Sequence, residues 1–232
     1  LATRYSNLQP ALRALTTSSQ PTSGHVPVIG IVGGIGSGKS SVARRLGELI
    51  SVVVIDADVV GHQVLTEAAT KAALRAEFGD GIFSDNGEID RPALGRLVFG
   101  INQESSSAKK GLEKIVHPRI GAILAEQIAA AQSTPGVQAV ILDAAVLLET
   151  GWKDHCDAIV FVDAPAETRR QRVIENRNWT AEQFAAREAN QLPLPKKKEL
   201  SDQIVDNSQS VERAAEQLRQ FVMTIAGRPA KK

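Results

Sequence analysis

The stretch of sequence that decides the fold runs from Val28 to Leu49 and reads VIGIVGGIGSGKSSVARRLGEL. Its first five residues are apolar or glycine, which is typical of a buried strand, and its apolar residues from Val42 onward recur at helical spacing. Between these parts, residues 33–40 satisfy the phosphate-loop pattern G-x-x-x-x-G-K-[ST]. We therefore predict a strand, a phosphate-binding turn and a helix in direct succession.

This turn predicts a nucleotide site because each part of the motif has its own task. Glycines let successive backbone N–H groups curl around a phosphate, and the N-terminus of the following helix adds partial positive charge. The lysine reaches the β- and γ-phosphates, and the last hydroxyl can bind Mg²⁺. The expected nucleotide contacts are Gly34, Ile35, Gly36, Ser37, Gly38, Lys39 and Ser40.

Four more short apolar runs lie at 52–55, 137–142, 158–162 and 203–205. The first of them, VVVI, has four consecutive β-branched residues, and we interpret it as a strand that is buried on both faces. Helical patterns separate the runs, and strands that alternate with helices indicate a doubly wound parallel sheet. The predicted fold class is α/β, with a parallel sheet of about five strands.

A long insertion separates the second and third predicted strands. It has about 80 residues and few strand signals. It contains an Asn86-Gly87 turn, and we expect helices to start at Asp90 and near Pro118. The insertion is therefore predicted to be helical.

A second insertion, 167–198, is rich in Arg, Glu and Gln. Its Thr180 and Gln183 are spaced as a capping box, which indicates a helix start. We predict a mobile helical flap, in which planar guanidinium groups are suited to neutralising a transferring phosphoryl group. The run Lys196–Lys198 is interpreted as solvated charge. The arginines in the flap are Arg169, Arg170, Arg172, Arg177 and Arg187.

Two carboxylates, Asp56 and Asp58, follow the second predicted strand directly, at the sheet edge where open α/β folds bind ligands. Residues two apart in an extended chain point the same way, so both side chains can face the phosphate site. One could orient the Mg²⁺ shell while the other accepts the proton of an acceptor hydroxyl. Alternatively, Asp58 is the N-cap of a helix that runs from Val59. Asp143, at the end of the third predicted strand, is a further candidate for the magnesium carboxylate.

Composition argues against several other classes of protein. The 27 Lys and Arg residues against 26 Asp and Glu residues lack the basic excess of a protein held on nucleic acid. No apolar run approaches the ~18 to 20 residues of a membrane span. The single cysteine, Cys156, cannot form an internal disulfide, which favours a reducing, cytoplasmic compartment. We expect residues 1–26, whose composition overlaps that of organellar transit peptides, to form a disordered extension.

The other motifs in the sequence indicate what the protein does with the bound nucleotide. A regulatory GTPase would need a guanine-reading N-K-x-D tetrad, which does not occur in this sequence. A kinase needs a carboxylate near the acceptor hydroxyl and mobile arginines over the transferred group, and candidates for both are present. A nucleotide-binding switch that transfers no phosphate is the alternative from another class.

Together these motifs resemble the dephospho-coenzyme A kinase family of phosphate-loop kinases, over about 28–222. The joint order of five segments carries the resemblance more specifically than the phosphate loop alone. It implies transfer of the γ-phosphoryl group of ATP, with Mg²⁺, to the ribose 3′-hydroxyl of dephospho-CoA, the last step of coenzyme A biosynthesis. The segments are GGIGSGKS at 33–40, IDAD at 55–58, IDRPAL at 89–94, LEKIVHP at 112–118 and IVDN at 204–207.

The resemblance also implies a division of the chain and a set of roles. It implies a nucleotide-binding core at 27–59, 129–166 and 199–225, a helical acceptor domain at 60–128 and a lid at 167–198. A monomer is expected. The implied roles are Asp58 as base and acceptor contact, Lys39 as phosphate clamp, Arg172 as lid arginine, Arg91 and His117 as residues that bind the acceptor or shape its pocket, Asn207 as a nucleotide contact, and Ser40 with Asp56 at the metal. From the sequence alone, His117 is alternatively a helix-boundary residue.

One segment departs from the family pattern. The family usually has Asp-x-Pro-Leu-Leu-Phe-Glu where residues 143–149 of this chain read DAAVLLE. The proline and the aromatic residue are lost, so one wall of the acceptor pocket is expected to differ. Another phosphate-loop kinase, acting on a different small molecule or a nucleoside monophosphate, is the alternative enzyme.

Overall fold

The computed structural model of the chain describes residues 25–98, 103–177 and 179–226. The strands in these ranges are β1 Val28–Gly33, β2 Val52–Asp56, β3 Ala139–Asp143, β4 Ala158–Asp163 and β5 Gln203–Asp206. The α-helices are α1 Lys39–Leu49, α2 Ala57–Val64, α3 Ala68–Phe78, α4 Arg91–Val98, α5 Gln103–Gln132, α6 Ala166–Arg177, α7 Ala181–Ala189, α8 Leu194–Glu199 and α9 Val211–Ile225.

The five strands form one parallel sheet in the order β2-β3-β1-β4-β5. The predicted α/β fold class is thus confirmed. Strand β1 lies at the centre, and the chain crosses to one side of it and later to the other. Because all strands run the same way, their carboxyl ends share one edge, and Asp56 lies directly opposite Asp143 there. Ligands of open α/β sheets bind at this edge.

Alternate residues of β1 pack into two different cores, which is why the strand needs apolar residues throughout. Val28 and Val32 face the core formed with α2 and α5. Ile29 and Ile31 face the core formed with α1 and α9. Helices therefore cover both faces of the central strand, as the doubly wound prediction requires.

The prediction that residues 52–55 form a strand buried on both faces is wrong in one respect. The strand exists, but β2 is an edge strand, and Val54 is 41% exposed. Only Ile55 in this strand is buried. β-branched residues fit a pleated, half-buried surface as well as a central strand, so their presence does not distinguish the two positions.

The insertion between β2 and β3 is helical, as predicted, and α4 follows Asp90, whose side chain accepts a hydrogen bond from the N–H of Ala93 at 3.0 Å. Gly87 has a left-handed φ of 76° in the predicted turn. The helix start predicted near Pro118 is wrong, because Pro118 lies inside the 30-residue helix α5. Buried residues on both sides of it, including Ile120, keep this helix against the core despite the missing N–H.

The second insertion is also helical and contains α6, α7 and α8. The predicted capping box is confirmed, since the Thr180 side chain accepts a hydrogen bond from the N–H of Gln183 and the Gln183 side chain accepts one from the N–H of Thr180. The extension predicted for 1–26 lies outside the described residues up to residue 24. His25 and Val26, however, contact the body of the protein, since His25 bonds Asp157 at 2.7 Å. Within the described ranges, no helix is both long and apolar enough to cross a membrane.

Candidate active site

The phosphate loop connects β1 to α1, and its glycines allow close approach by other parts of the chain. Gly36 and Gly38 have left-handed φ angles of 76° and 88°. A Cβ atom at Gly36 would clash with the backbone oxygen of Arg169, and one at Gly38 would clash with the amide of Asn207. No acidic residue lies in the first turn of α1, so the partial positive charge of this helix N-terminus faces the loop without a counter-charge from that turn.

Lys39 begins α1 and folds back over the loop. Its ammonium donates to the carbonyl oxygens of Gly34 and Gly33, at 3.3 and 3.5 Å. Burial lowers the pKa of Lys39 below its usual range, whereas the carboxylates of Asp143 and Asp58 act in the opposite direction. The cation thus lies in the field of both carboxylates while its hydrogen bonds go to the loop.

Ser40 and Asp143 form a hydrogen-bonded pair beside the loop. The Ser40 hydroxyl donates to Asp143 Oδ2 at 2.5 Å, and Asp143 is only 7% exposed at the end of β3. Burial raises the pKa of Asp143, while the hydrogen bond from Ser40 and the charge of Lys39 oppose this rise. These two side chains place hydroxyl and carboxylate oxygens next to the phosphate loop, and Mg²⁺ prefers oxygen ligands of this kind.

The extended geometry predicted for Asp56 and Asp58 is wrong, because helix α2 begins directly after Asp56, although the charges of both carboxylates raise the pKa of Asp143. Helix α2 begins at Ala57, and Asp56 is its N-cap, accepting hydrogen bonds from the N–H groups of Asp58 at 2.9 Å and Val59 at 3.2 Å. The alternative, Asp58 as the N-cap, is also wrong. Asp58 lies exposed in the first turn of α2, where its charge affects the pKa of both Lys39 and Asp143.

Among the flap arginines, Arg172 is one of two that bond the phosphate loop. Its guanidinium donates to the carbonyl oxygen of Ser37 at 3.4 Å and to that of Asn207 at 3.3 Å. Asn207 is buried and donates from Nδ2 to the same Ser37 oxygen at 2.7 Å. Arg172 and Asn207 therefore hold the loop from the side of β5.

The other four arginines have different surroundings. Arg169 is 4% exposed, donates to the carbonyl oxygen of Ile35 at 3.3 Å and pairs with Glu188. It is packed against Gly34 and Gly36 of the loop. The remaining three are on the surface: Arg170 pairs with Glu167, and Arg177 and Arg187 lie against the Trp179 ring at 5.3 and 4.3 Å.

On the acceptor side, Arg91 is held by a residue that the sequence analysis did not single out. Its guanidinium contacts His62 Nε2 at 2.6 Å. His62 lies four residues after Asp58 on α2, and residues at this spacing share one face of a helix. The structure therefore brings Arg91 to the same face of α2 as Asp58.

His117 belongs to a separate part of the acceptor side. It lies on α5, half-buried, with its ring edge-on to Trp152 at a centroid distance of 5.5 Å. Burial lowers the pKa of His117, and the charged groups that face it are Glu113 and Lys109 rather than Asp58 or Arg91. His117 and Trp152 line an open cleft of about 490 Å³.

Comparison with known proteins decides the family. The model of the dephospho-CoA kinase family matches residues 27–213. The chain belongs to the dephospho-CoA kinase family. The dephospho-CoA kinase of Thermobifida fusca is 39% identical over 181 residues, which cover 78% of this chain and 86% of that protein. That of Geobacter sulfurreducens is 36% identical over 195 residues, covering 82% and 96%.

Comparison with solved structures supports the fold. The crystal structure of TT1252 from Thermus thermophilus superposes with a TM-score of 0.73 at 30% identity, covering 88% of this chain and all of that one. The dephospho-CoA kinase from Campylobacter jejuni has the same fold, with a TM-score of 0.55 at 22% identity, covering 86% of this chain and 97% of that one. The family match includes both helical insertions.

Two residues of this candidate site, His62 and Trp152, were not identified from the sequence. His62 carries a signal that could have been used, because it is one helical turn after Asp58. Trp152 carries none, since it reaches α5 from a short 3₁₀ helix after β3 and no local spacing relates it to His117.

Proposed function

We propose that this chain, as a kinase of the dephospho-CoA family, transfers the γ-phosphoryl group of ATP to the ribose 3′-hydroxyl of dephospho-CoA. The proposal rests on the residues that meet at one edge of the sheet. There the phosphate loop, Lys39 and the Ser40–Asp143 pair meet the acceptor-side residues of α2. Product formation in this reaction completes coenzyme A biosynthesis.

In the nucleotide half of the site, the backbone N–H groups of 34–40 bind the phosphates and Lys39 neutralises charge on the β- and γ-phosphate oxygens. Lys39 needs little rearrangement for this, because its ammonium already lies over the loop. Arg172 is proposed to move from its contacts with Ser37 and Asn207 toward the transferred group when the lid at 167–198 closes.

The residues at the sheet edge also fit a magnesium ion. We propose that two oxygen donors, Ser40 and the buried Asp143, hold the ion. Asp56 lies opposite Asp143 in the sheet and would add a second carboxylate beside it. The ion would supply neutralisation of charge on the phosphate oxygens. Asp56 is the weaker candidate for a direct ligand because its side chain already caps α2.

Asp58 is the proposed general base. Its carboxylate takes the proton of the acceptor 3′-hydroxyl as that oxygen bonds to the γ-phosphorus and the bond to the β-phosphate oxygen breaks, which releases ADP. Its exposure leaves it accessible to a substrate, and Lys39 lies within reach of its charge. The helical region at 60–128 is proposed to hold the acceptor through Arg91 and His117.

The test is a panel of acceptors assayed with Mg²⁺-ATP. We expect dephospho-CoA to be phosphorylated at the 3′ position with a kcat/KM several orders of magnitude above those for AMP and adenosine, because both lack the pantetheine arm whose binding energy is remote from the reacting oxygen. Equal efficiency on AMP, or a product phosphorylated elsewhere, would favour a nucleoside-monophosphate or other small-molecule kinase.

We also propose that the protein is a cytoplasmic monomer. Cell fractionation would test its location, and light scattering would test its oligomeric state.

A further inference from the structure

Lys197 is a fully buried lysine outside the residues assigned above. The prediction that the run 196–198 is solvated charge is wrong for Lys197, since its side chain is 0% exposed. It lies on α8, near the end of the second insertion. Its neighbour Lys198, by contrast, is 39% exposed and pairs with Asp163 at 2.6 Å.

The ammonium of Lys197 joins the loop after β3 to the segment between α7 and α8. It donates to the carbonyl oxygen of Ala145 at 3.0 Å and to Gln191 Oε1 at 3.1 Å, and it lies 3.2 Å from Glu149 Oε1. Glu149 in turn accepts a hydrogen bond from the N–H of Leu192 at 2.9 Å. Both ends of loop 144–149 are therefore fixed to the lid side of the molecule by one network.

This network lies close to the proposed chemistry. Ala145 is two residues from Asp143, so a bond to its carbonyl oxygen constrains the backbone that presents the Asp143 carboxylate to Ser40. The charge of Lys197 is also near enough to lower the pKa of Lys39. Leu147, in the middle of the loop, is buried against Gly30 of β1, which fixes the same loop from below.

A buried ion pair is a poor device for stability alone. Desolvation of two charges offsets much of their attraction, and apolar residues of similar volume often serve as well or better. A network that is fully hydrogen-bonded does, however, fix one geometry. Positioning of loop 144–149 explains the burial of Lys197 better than stability does.

We propose that Lys197 is a positioning residue for phosphoryl transfer, which holds loop 144–149, and with it Asp143, in the geometry that the reaction needs. This inference rests on the proposed function of Asp143. Lys197 acts through that loop and does not itself contact substrate.

The test compares K197M, E149Q, the double variant K197M/E149Q and the control K198M. K197M alone leaves Glu149 without its cation, so this variant should unfold at a lower temperature. The double variant removes both charges, and the amide oxygen that it places at position 149 can still accept a hydrogen bond from the N–H of Leu192. We expect the double variant to melt near the wild-type temperature but to have a kcat reduced about 10- to 100-fold, the usual effect of losing a residue that orients a ligand-bearing group. KM for dephospho-CoA should change little.

A second readout does not depend on turnover. Calorimetric titration with ADP, with and without Mg²⁺, should show that Mg²⁺ strengthens ADP binding by a smaller factor in K197M/E149Q than in wild type or K198M. The proposal is overturned if kcat recovers together with stability in the double variant, or if K198M lowers kcat as much as the double variant does. Failure of the wild-type protein to phosphorylate dephospho-CoA would instead contradict the proposed function. The ADP titrations would still test the role of Lys197 in that case.

Discussion

The phosphate loop and the acceptor side of the site are constructed differently. Residues 33–40 are contiguous, and buried side chains from distant segments, including Arg169 and Asn207, hold the loop by bonding its carbonyl oxygens. Arg91 and His117, in contrast, lie on separate helices, and Arg91 is exposed. The position of one relative to the other depends on how α2, α4 and α5 pack.

This difference predicts how the two regions respond to substitution. The loop is held on several sides, so a change within it should alter nucleotide binding and chemistry together. The acceptor side is held by helix packing around buried residues such as Leu74 and Leu94, and its functional side chains lie on the surface of that packing, beside pairs such as the one in which Arg119 donates to Glu67. A change there should alter acceptor binding and leave the nucleotide half as it is.

The largest effect is expected where the two regions meet, at Asp58. Asp58→Asn removes the proposed base, so kcat should fall by ~10² to 10⁴-fold, the usual worth of general-base assistance, while ADP binding is retained. Steady-state kinetics and calorimetric ADP titration measure the two quantities.

Asp56→Asn is the matched control for this substitution. Asparagine is also a good N-cap, so α2 should persist and activity should fall far less than in Asp58→Asn. A crippled Asp56→Asn beside a nearly normal Asp58→Asn would mean that the base is the other carboxylate.

The next largest effect is expected within the loop, at Lys39. Lys39→Ala removes the cation that faces the β- and γ-phosphates, and kcat should fall by ~10² to 10³-fold, as for loss of one donor that stabilises developing charge. The thermal midpoint should not fall, because burial already opposes the charged form of Lys39 and lowers its pKa. Wild-type kcat in folded Lys39→Ala would contradict the role, and a large drop in the midpoint would show that Lys39 is structural.

A smaller effect is expected from crowding the loop at Gly38. Gly38→Ala adds a Cβ that clashes with Asn207 and must adopt a φ of 88°, a strain of ~1 to 3 kcal/mol. ADP affinity should therefore fall by about tenfold or more. Gly151→Ala is the control, because Gly151 has the same left-handed backbone conformation, with a φ of 78°, but nothing within 4 Å of its Cβ position. Equal loss of ADP binding in both variants would count against a role for the Asn207 contact.

The local sequence was enough to predict the parts of the molecule that depend on contiguous residues. The five strands, the phosphate loop, the helix after Asp90 and the capping box at Thr180 are all present where the patterns indicated. In each case the signal and the structure lie within a few residues of one another.

Other features depend on packing between distant segments and could not be predicted in this way. Pro118 usually marks a helix boundary, yet the core contacts of α5 carry the helix through it. The roles of Asp56 and Asp58 depend on a shift of two residues in the start of α2. Lys197 stands in a run of three lysines, and only the tertiary structure distinguishes the buried one from its neighbours.

The smallest effect is expected at His117, and it provides the sharpest comparison between the two regions. Burial lowers the pKa of His117, so its ring is neutral near pH 7 and can offer one hydrogen bond to an uncharged part of the acceptor. His117→Asn should raise KM for dephospho-CoA by roughly 2- to 10-fold, the worth of one neutral hydrogen bond, with kcat and KM for ATP unchanged. Lys110→Met, at an exposed position of the same helix, serves as a control for general effects on α5. An unchanged KM for dephospho-CoA would make His117 a purely structural partner of Trp152, whereas a raised KM for ATP would show that α5 and the phosphate loop respond together.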